Sequence, residues 1–416
     1  MADSLADSDL GDSDLGDIDV YDIDQYVEAV PHGKFRRLRA EAPVFRHRDP
    51  ESGGGYWALT RHADVVFVSR NPELFSSYEK TAMINEYAQE QIDQQRLFML
   101  NQDPPSHTHT RSLVNRGFTP RMIARLEERI QATCDDIVGT AIAKSEGDFV
   151  TLCAAELPLI VIAELMGVPL EDRHKVFDWS NRMIGGDDPE YGVTEEQRFE
   201  AATEMWAYAS ALAEVKRGQL QDDIVSKLIS PDEAGNVLSE LEFDLFFMLL
   251  AVAGNETTRN AISGGMYALI QHPDQWEKLR ADPSLIPAAA DEIVRWVTPV
   301  NMFRRTATTD VEIGGVPIKA GEKVVIYYTS ANRDESVFTD PDVFDIAREP
   351  NPHVGFGGGG PHFCLGRHLA KLELECLFRS LITQLDHVEL VMGPRRLRSN
   401  FINGIKEMTV RFIPAA

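Results

Sequence analysis

The segment that decides the fold reads Phe356-Gly357-Gly358-Gly359-Gly360-Pro361-His362-Phe363-Cys364-Leu365-Gly366. Together with the preceding Gly355, it contains a formal GxGxxG pattern. A dinucleotide-binding turn of that form needs a preceding strand and a βαβ unit. Here Pro361 and a cysteine follow the glycines, so we reject the dinucleotide interpretation. Cys364 is then either a buried structural cysteine or a ligand.

A ligand role makes use of every part of this loop. Glycines let the backbone come close to a flat macrocycle and direct several N–H groups at one sulfur. Cys364 precedes an amphipathic helix predicted over residues 365–386, and a helix N-terminus lowers the pKa of a thiol. A thiolate donates electron density to haem iron. These properties fit a ligand role for Cys364, but for the cysteine taken alone the buried structural role is the stronger interpretation.

The longest helical period lies upstream of this loop, over residues 241–272. It begins with Ser239 and Glu242 at the Ser-x-x-Glu spacing of a capping box. Apolar residues surround most of the helix, which predicts that it crosses the interior of the protein. A long buried helix can form one wall of a central site.

The run Ala253-Gly254-Asn255-Glu256-Thr257-Thr258 breaks the pattern of a buried helix. Gly254 costs about 1 kcal/mol relative to alanine, while Glu256 and Thr257 place an acid and a hydroxyl inside. Such violations are expected at functional sites. We expect a groove for a diatomic ligand at Gly254, with Thr257 holding the ligand and Glu256 relaying protons. The alternative is a back-bonded threonine beside a surface glutamate.

The rest of the chain is predicted to be mainly α with small β sheets. Helical spacing indicates further helices over residues 63–69, 122–144, 157–166, 199–215 and 287–296. Strands are indicated over residues 56–59, over 311–318 with a Gly314-Gly315 turn, over 323–328, and in a C-terminal hairpin that turns at Gly404.

With Gly360, His362 and Gly366 at their positions, the Cys364 loop resembles the haem-binding signature of the cytochrome P-450 enzymes. The run at 253–258 looks like the oxygen-activation motif of the same family. The resemblance covers residues 26–416 and implies a single catalytic domain with a long central helix over a buried haem b. It implies Cys364 as the metal ligand and Glu256 and Thr257 as catalytic residues. It places beside the cofactor Ala253, Gly254, Gly358 and Gly366.

Haem propionates need cationic or hydrogen-bonding partners. Residues at positions similar to those of the family are His107, Arg111, Arg305 and His362, whereas we expect His109 to be solvated. Zinc binding by His107 and His109 has no third ligand to support it.

Glu292 and Arg295 lie one helical turn apart, and this spacing by itself fits an exposed ion pair worth less than ~1 kcal/mol. In the family the same spacing belongs to a buried Glu-Arg pair, and a later arginine in the chain before the cysteine joins this pair. Arg348 is the candidate for that arginine here. We expect the three residues to serve folding rather than catalysis.

The glycine loop departs from the usual pattern of the family. Most members have phenylalanine seven residues before the cysteine, where this chain has Gly357 and places Phe356 one residue earlier. With its extra glycine, the loop is similar to that of bacterial enzymes that hydroxylate terminal methyl groups of sterol side chains and methyl-branched lipids. Related bacterial terpene-alcohol and alkane hydroxylases share several of the same sequence features. The resemblance places in the substrate pocket Met83, Ile84, Phe98, Met99, Leu249, Ala253, Val300, Met302, Phe303 and Ile402.

Composition limits the remaining function classes. The chain has 416 residues and a formal net charge of -25, which argues against a nucleic-acid partner. Cys134, Cys153 and Cys376 are predicted to pack as buried apolar residues. No apolar run is long enough for a membrane anchor, so we expect a cytoplasmic protein. Residues 1–25 are rich in aspartate and are predicted to form a disordered leader, either plainly solvated or an interaction tail.

The resemblance further implies O2 as co-substrate, a lipophilic substrate, and electrons from a ferredoxin and its reductase. Arg367, Lys371 and Arg379 could dock an acidic ferredoxin, and we expect a monomer. A haem sensor or electron-transfer protein is the alternative from another class. The pair Glu256-Thr257 argues against it, because binding alone needs no proton relay. The same intact alcohol argues against a peroxide-driven enzyme.

Overall fold

The computed structural model describes residues 15–50, 53–184, 188–190, 193–220, 224–232 and 235–415. Fifteen α-helices occur in these residues. Their bounds are α1 His32–Glu41, α2 His62–Arg70, α3 Gln89–Gln95, α4 Ser106–Asn115, α5 Pro120–Ala124, α6 Glu127–Lys144, α7 Glu156–Leu165, α8 Arg173–Ile184, α9 Glu195–Gly218, α10 Ile224–Leu228, α11 Glu240–Gln271, α12 Pro273–Ala281, α13 Ile286–Val297, α14 Tyr328–Ala331 and α15 Arg367–Gln384.

The strands of the described residues form three small sheets. Their bounds are β1 Val44–Arg48, β2 Gly55–Leu59, β3 Phe75–Ser76, β4 Glu146–Asp148, β5 Met302–Ala307, β6 Val311–Ile313, β7 Val316–Ile318, β8 Lys323–Tyr327, β9 Leu385–Arg396 and β10 Ile405–Pro414. One sheet has the order β1-β2-β8-β5-β3, the second β4-β10-β9, and the third is the β6-β7 hairpin. Every residue of β8 is buried, because this strand is the centre of the largest sheet. The predicted mainly α fold with small β sheets is confirmed.

Helix α11 is the central element of the fold. Its N-terminus has the predicted capping box, in which the Ser239 hydroxyl accepts from the Glu242 backbone N–H at 3.2 Å and Glu242 accepts from the Ser239 N–H at 2.8 Å. The helix then runs 32 residues without a break, so Gly254 does not interrupt it. It contacts α7, α8, α9, α13 and α15, and the large apolar core surrounds it. This placement gives α11 one face on a central cavity.

The start of the folded part is a correction to the sequence prediction. Residues 15–25 are packed against the protein rather than disordered, since Ile18 and Val20 are buried beside Tyr56 and Tyr327. The Tyr26 hydroxyl donates to the Val20 carbonyl at 2.9 Å. Ile18 and Val20 anchor the segment while the neighbouring carboxylates face outward. The predicted start of the folded domain at residue 26 is therefore too late. The rest of the predicted leader, residues 1–14, lies outside the described residues.

A buried ionic network connects α13 with the chain that leads to Cys364. Arg295 donates to both Glu292 carboxylate oxygens at 2.7 Å, and Arg348 donates to Glu292 at 3.1 Å. Asn351 adds a hydrogen bond at 3.2 Å to the same carboxylate. The side chains of Glu292 and Arg295 are 0% exposed. The predicted folding role of the three residues fits this geometry, because the network fixes residues 345–351 just before the glycine loop.

Candidate active site

A cavity of about 270 Å³ lies between α11 and the loop that carries Cys364. Cys364 and Thr257 both line it, so the two motifs singled out in the sequence face one space. Helix α15 provides another part of the wall through Leu369, Ala370 and Leu374. Most of the lining is apolar, which is typical of a ligand pocket with a few orienting polar groups.

The glycine loop is shaped by close contact with α2. Gly360 has φ +72°, and a Cβ there would lie 2.0 Å from the Ser69 carbonyl oxygen. A Cβ on Gly358 would lie 2.6 Å from the Ser69 hydroxyl. Gly358 was predicted beside the cofactor, but it is not among the residues that line the cavity; its lack of a side chain lets the loop pack on α2. The glycines therefore position the loop as well as opening space beside it.

Burial and nearby hydrogen-bond donors act in opposite directions on the sulfur of Cys364. Its own N–H donates to the Phe356 carbonyl at 2.9 Å, which closes the loop. Burial raises the pKa of Cys364, while the N–H groups of Gly366 and Arg367 and the charge of Arg111 act against that rise. Helix α15 begins at Arg367, two residues later than predicted, so Cys364 lies just before its N-terminus. The three other cysteines are buried, as predicted.

Two histidines and two arginines meet at another edge of the cavity. Helix α4 places His107 and Arg111 on one face, four residues apart, and leaves His109 exposed. Arg305 comes from β5, and the ring of His362 lies 4.2 Å from that of His107. In the described residues, neither Arg111 nor Arg305 is within ion-pair distance of a carboxylate. The four predicted propionate partners therefore meet at this edge, and all of them line the cavity.

These four side chains together form a site for anions. His107 is 1% exposed, and neither of its ring nitrogens has a hydrogen-bond partner in the described residues. Burial and the charges of Arg111 and Arg305 lower the pKa of His107 to about 4. Buried polar atoms without partners and buried cations without counter-ions are costly, so the geometry calls for an acidic ligand at this edge.

On α11, Ala253, Gly254 and Thr257 line the cavity. The Thr257 hydroxyl donates to the Ala253 carbonyl at 2.7 Å, the back-bonded arrangement considered as the alternative. A Cβ on Gly254 would lie 2.6 Å from Ile162, so this glycine also permits α7 to approach.

Glu256 is buried rather than at the surface, but it is not among the lining residues. It forms an ion pair with Arg259, and its Oε1 atom has no partner in the described residues. Burial raises the pKa of Glu256, and Arg259 partly offsets this effect. The predicted acid therefore lies behind the cavity wall.

The predicted substrate-pocket residues divide into two groups. Met99, Leu249, Ala253, Val300 and Phe303 line the cavity. Ile84 and Met302 instead pack with Tyr56 and Tyr327 in a separate core cluster, and Ile402 is buried where it bridges Val300. Met83 is half-buried, and Phe98 packs against the main core. Sequence position alone could not separate the groups, because neighbouring side chains of β5, Met302 and Phe303, face opposite sides and the path of residues 81–101 depends on tertiary packing.

Several lining residues were not predicted from the sequence. Phe356 borders both the cavity and a surface groove beneath the glycine loop. Thr258 and Glu373 also line the cavity. Glu373 had a detectable signal, since it occupies the same helical face as Leu369, four residues earlier.

The comparisons with known proteins bear on this geometry. The family model described as Cytochrome P450 matches residues 194–410. The steroid C26-monooxygenase of Rhodococcus jostii is 49% identical over 94% of this chain and 84% of its own length. The chain belongs to the cytochrome P450 family. It is thus an O2-dependent monooxygenase that binds haem b, as the motifs predicted.

Other relatives of this cytochrome P450 include two curated enzymes and one solved structure. The steroid C26-monooxygenase of Mycobacterium tuberculosis is 46% identical over 93% of this chain and 90% of its own length. The methyl-branched lipid omega-hydroxylase of the same species is 43% identical over 92% and 91%. A solved Mycobacterium marinum cytochrome P450 in complex with pseudoionone is 38% identical, with a TM-score of 0.88, and covers 97% of this chain and 100% of its own.

The residues of this cytochrome P450 fit haem b. The unpartnered nitrogens of His107 and the uncompensated Arg111 and Arg305 match two carboxylates. Cys364 would supply one thiolate from the loop wall of the cavity, and the small residues Ala253 and Gly254 line the same cavity from α11. No helix among the described residues combines the length and the hydropathy needed to cross a membrane.

Proposed function

We propose that this cytochrome P450 hydroxylates the terminal methyl group of a sterol side chain or of a methyl-branched lipid. The observation that carries the proposal is the apolar cavity in which Thr257 and Cys364 face the same space, with Leu249, Val300 and Phe303 around it. The relatives named steroid C26-monooxygenase and methyl-branched lipid omega-hydroxylase support this choice of substrate.

The reaction is R–H + O2 + 2 H⁺ + 2 e⁻, giving R–OH + H2O. Bound haem supplies the iron at which dioxygen is reduced, and a thiolate ligand favours O–O cleavage. Cys364 is the proposed ligand, and the N–H groups of Gly366 and Arg367 would stabilise its thiolate once it binds iron. His107, Arg111, Arg305 and His362 are the proposed propionate partners.

Thr257 and Glu256 have different proposed tasks. Thr257 lines the cavity, so its hydroxyl can exchange its bond to Ala253 for one to a ligand or water. Glu256 is buried next to it on α11 and exchanges protons with solvent when its ion pair with Arg259 opens. The apolar wall keeps other water away from the reacting carbon.

The electron donor is proposed to be a ferredoxin, itself reduced by a ferredoxin reductase. A groove of about 510 Å³ lies beneath the glycine loop, on the other side of Phe356 from the cavity. Of the predicted basic residues, Lys371 is paired with Asp291 at 2.8 Å, and Arg379 bonds to Gln131 at 2.9 Å. Arg367 has no carboxylate partner within the described part of the chain and borders the groove, which makes it the proposed first contact. A cytoplasmic monomer is part of the same proposal.

Three measurements test the function. The reduced, carbon monoxide-bound protein should have the Soret band of a thiolate-ligated haem; a band at the position of histidine-ligated haems would contradict the role of Cys364. Sterols, branched fatty acids, terpenes and alkanes are then screened for a shift of the ferric iron from low to high spin. Product analysis should find the new hydroxyl on a terminal methyl carbon of a sterol or a branched lipid.

The role of Thr257 has a matched control in the same protein. Thr257→Ala should keep substrate binding but divert reducing equivalents to peroxide. Thr203 is back-bonded in the same way, to the Phe199 carbonyl at 2.8 Å, but is exposed on α9. Thr203→Ala should leave the yield of product per reductant unchanged. Equal yields for the two variants would exclude the proposed role of Thr257.

A further inference from the structure

The N-terminal strap, residues 15–25, lies outside the cavity but packs on the strand that forms part of its wall. Val20 is 0% exposed and belongs to one apolar cluster with Tyr327 and Met302. Met302 is on β5 next to Phe303, which lines the cavity. Neighbouring side chains of a strand point to opposite faces, so the strap covers the face of β5 that is turned away from the cavity.

The N-terminal strap also holds the C-terminal turn, residues 397–404, which connects β9 to β10. The Asn400 side chain is buried, and its Nδ2 atom donates to the Tyr21 carbonyl at 2.6 Å. Arg398 forms an ion pair with Asp24 beside this bond. Asn400 and Tyr21 are 379 residues apart in the chain. These contacts therefore join the two ends of the protein.

The C-terminal turn supports the cavity wall from behind. The Asn301 N–H donates to the Phe401 carbonyl at 2.8 Å, and the Phe401 ring lies edge-on to Phe303 with 5.5 Å between the ring centroids. Ile402 forms a β-bridge with Val300. Phe303 and Val300 both line the cavity. A change in the position of the turn therefore changes the position of this wall.

Hydroxylation of a terminal methyl group works against the intrinsic reactivity of a branched chain. The tertiary C–H bond next to the terminal methyl groups is weaker than their primary C–H bonds, so an oxidant that reaches both attacks the tertiary carbon. The enzyme must hold the chain so that only the terminal carbon reaches the haem. A displacement of about 1 Å is enough to lose positioning of this kind. The wall around Val300 and Phe303 must therefore be held firmly.

We propose that the N-terminal strap is a specificity element and that Asn400 is the positioning residue that connects it to the wall. The proposal rests on the proposed terminal hydroxylation. The strap fixes the C-terminal turn through Asn400 and fixes β5 through the cluster around Val20. The wall held in this way presents the terminal methyl group, rather than the tertiary carbon, to the haem.

The first test measures which carbon is hydroxylated. The probe is cholesterol or pristanic acid, whichever gives the larger shift to high spin, since both chains end in two methyl groups on a tertiary carbon. It is converted with NADPH, a plant-type ferredoxin and its reductase. Asn400→Ala removes the bond to Tyr21, so the ratio of primary to tertiary alcohol should fall by about tenfold. Asn236→Ala is the control and should keep the ratio, because Asn236 bonds to Asp232 on an exposed loop.

The second test asks whether the strap and Asn400 act as one unit. Val20→Ala loosens the packing of the strap and should lower the same ratio. If both residues act through the strap, the double variant should change the logarithm of the ratio by less than the sum of the two single changes. Additive changes would overturn the proposal. A role in stability alone would lower the fraction of protein with bound haem and leave the ratio of the remaining enzyme unchanged.

The outcomes separate the two proposals. If the wild type makes no terminal alcohol, the proposed function is wrong before any variant is measured. If the wild type makes it and Asn400→Ala gives the same ratio as Asn236→Ala, only the role of the strap is wrong. If Asn400→Ala fails to bind haem, Val20→Ala decides the question: a lower ratio supports the proposal, and a ratio equal to that of the control overturns it.

Discussion

Glu292→Gln should strongly destabilise the protein, and the structure gives the magnitude. The Glu292 carboxylate accepts two bonds from Arg295 at 2.7 Å, one from Arg348 at 3.1 Å and one from the Asp345 N–H at 2.9 Å. The substitution keeps the volume but leaves two arginines, one of them 0% exposed, without a counter-charge. Removing one partner of a buried pair costs about 3–5 kcal/mol. That is a large part of a total stability of about 5–15 kcal/mol.

Glu195→Gln is the matched control, because Glu195 and Arg198 have the same i, i+3 spacing on α9. There the carboxylate is 88% exposed and 3.7 Å from the arginine, so its loss should cost less than about 0.5 kcal/mol. Urea unfolding is followed through the thiolate-type carbon monoxide spectrum. With a slope of about 3 kcal/mol/M, the Glu292→Gln midpoint should fall by roughly 1 to 2 M. A midpoint equal to that of the control would refute the reasoning.

Three further predictions concern the loop, the cofactor and pH. Gly360→Ala should abolish haem incorporation, measured as haem absorbance per protein, because the new Cβ would lie 2.0 Å from a backbone oxygen and the residue has φ +72°. In the control Gly393→Ala, the new Cβ would have no atom within 4 Å, so this variant should match the wild type. Arg305→Gln should speed haem transfer to apomyoglobin about 10- to 100-fold, since one charged hydrogen bond is lost; unchanged retention would argue against propionate binding. Burial, and then the charge of Arg333, holds the pKa of His32 well below its usual range. Below about pH 6.5 the unfolded chain therefore binds a proton at His32 that the folded protein does not bind, so the free energy of unfolding falls as pH decreases. The melting temperature of His32→Gln should fall less than that of the wild type between about pH 7 and pH 5. Parallel melting curves against pH would contradict this.

Much of the fold could be predicted from local sequence signals. The Ser239 and Glu242 capping box marks the start of α11 because it satisfies backbone donors within one turn. The Gly314-Gly315 turn gives the β6-β7 hairpin, because both glycines adopt positive φ. The predicted helix over 122–144 is divided in the structure into α5 and α6. Local patterns predicted helical structure in this region, and tertiary packing determined where the helix is interrupted.

The candidate site was predictable where one segment carries the chemistry. The glycines, His362 and Cys364 belong to one loop, and Thr257 belongs to one helix, so their spacing identifies them. The spacing of the aspartate-rich leader did not reveal that Ile18 and Val20 would be buried, because their partners Tyr56 and Tyr327 are far away in sequence.

By itself, the sequence determined that this protein has a glycine loop around Cys364 and a long buried helix with an acid and an alcohol, and it predicted the thiolate ligand and the cations for an acidic cofactor. Only the tertiary structure decided which polar groups face the cavity. It turned Glu256 towards Arg259 and enclosed Glu373 beside the cofactor space. The reason is physical: hydrogen bonds within a helix turn depend on neighbouring residues, whereas burial and charge pairing depend on which distant segments come together.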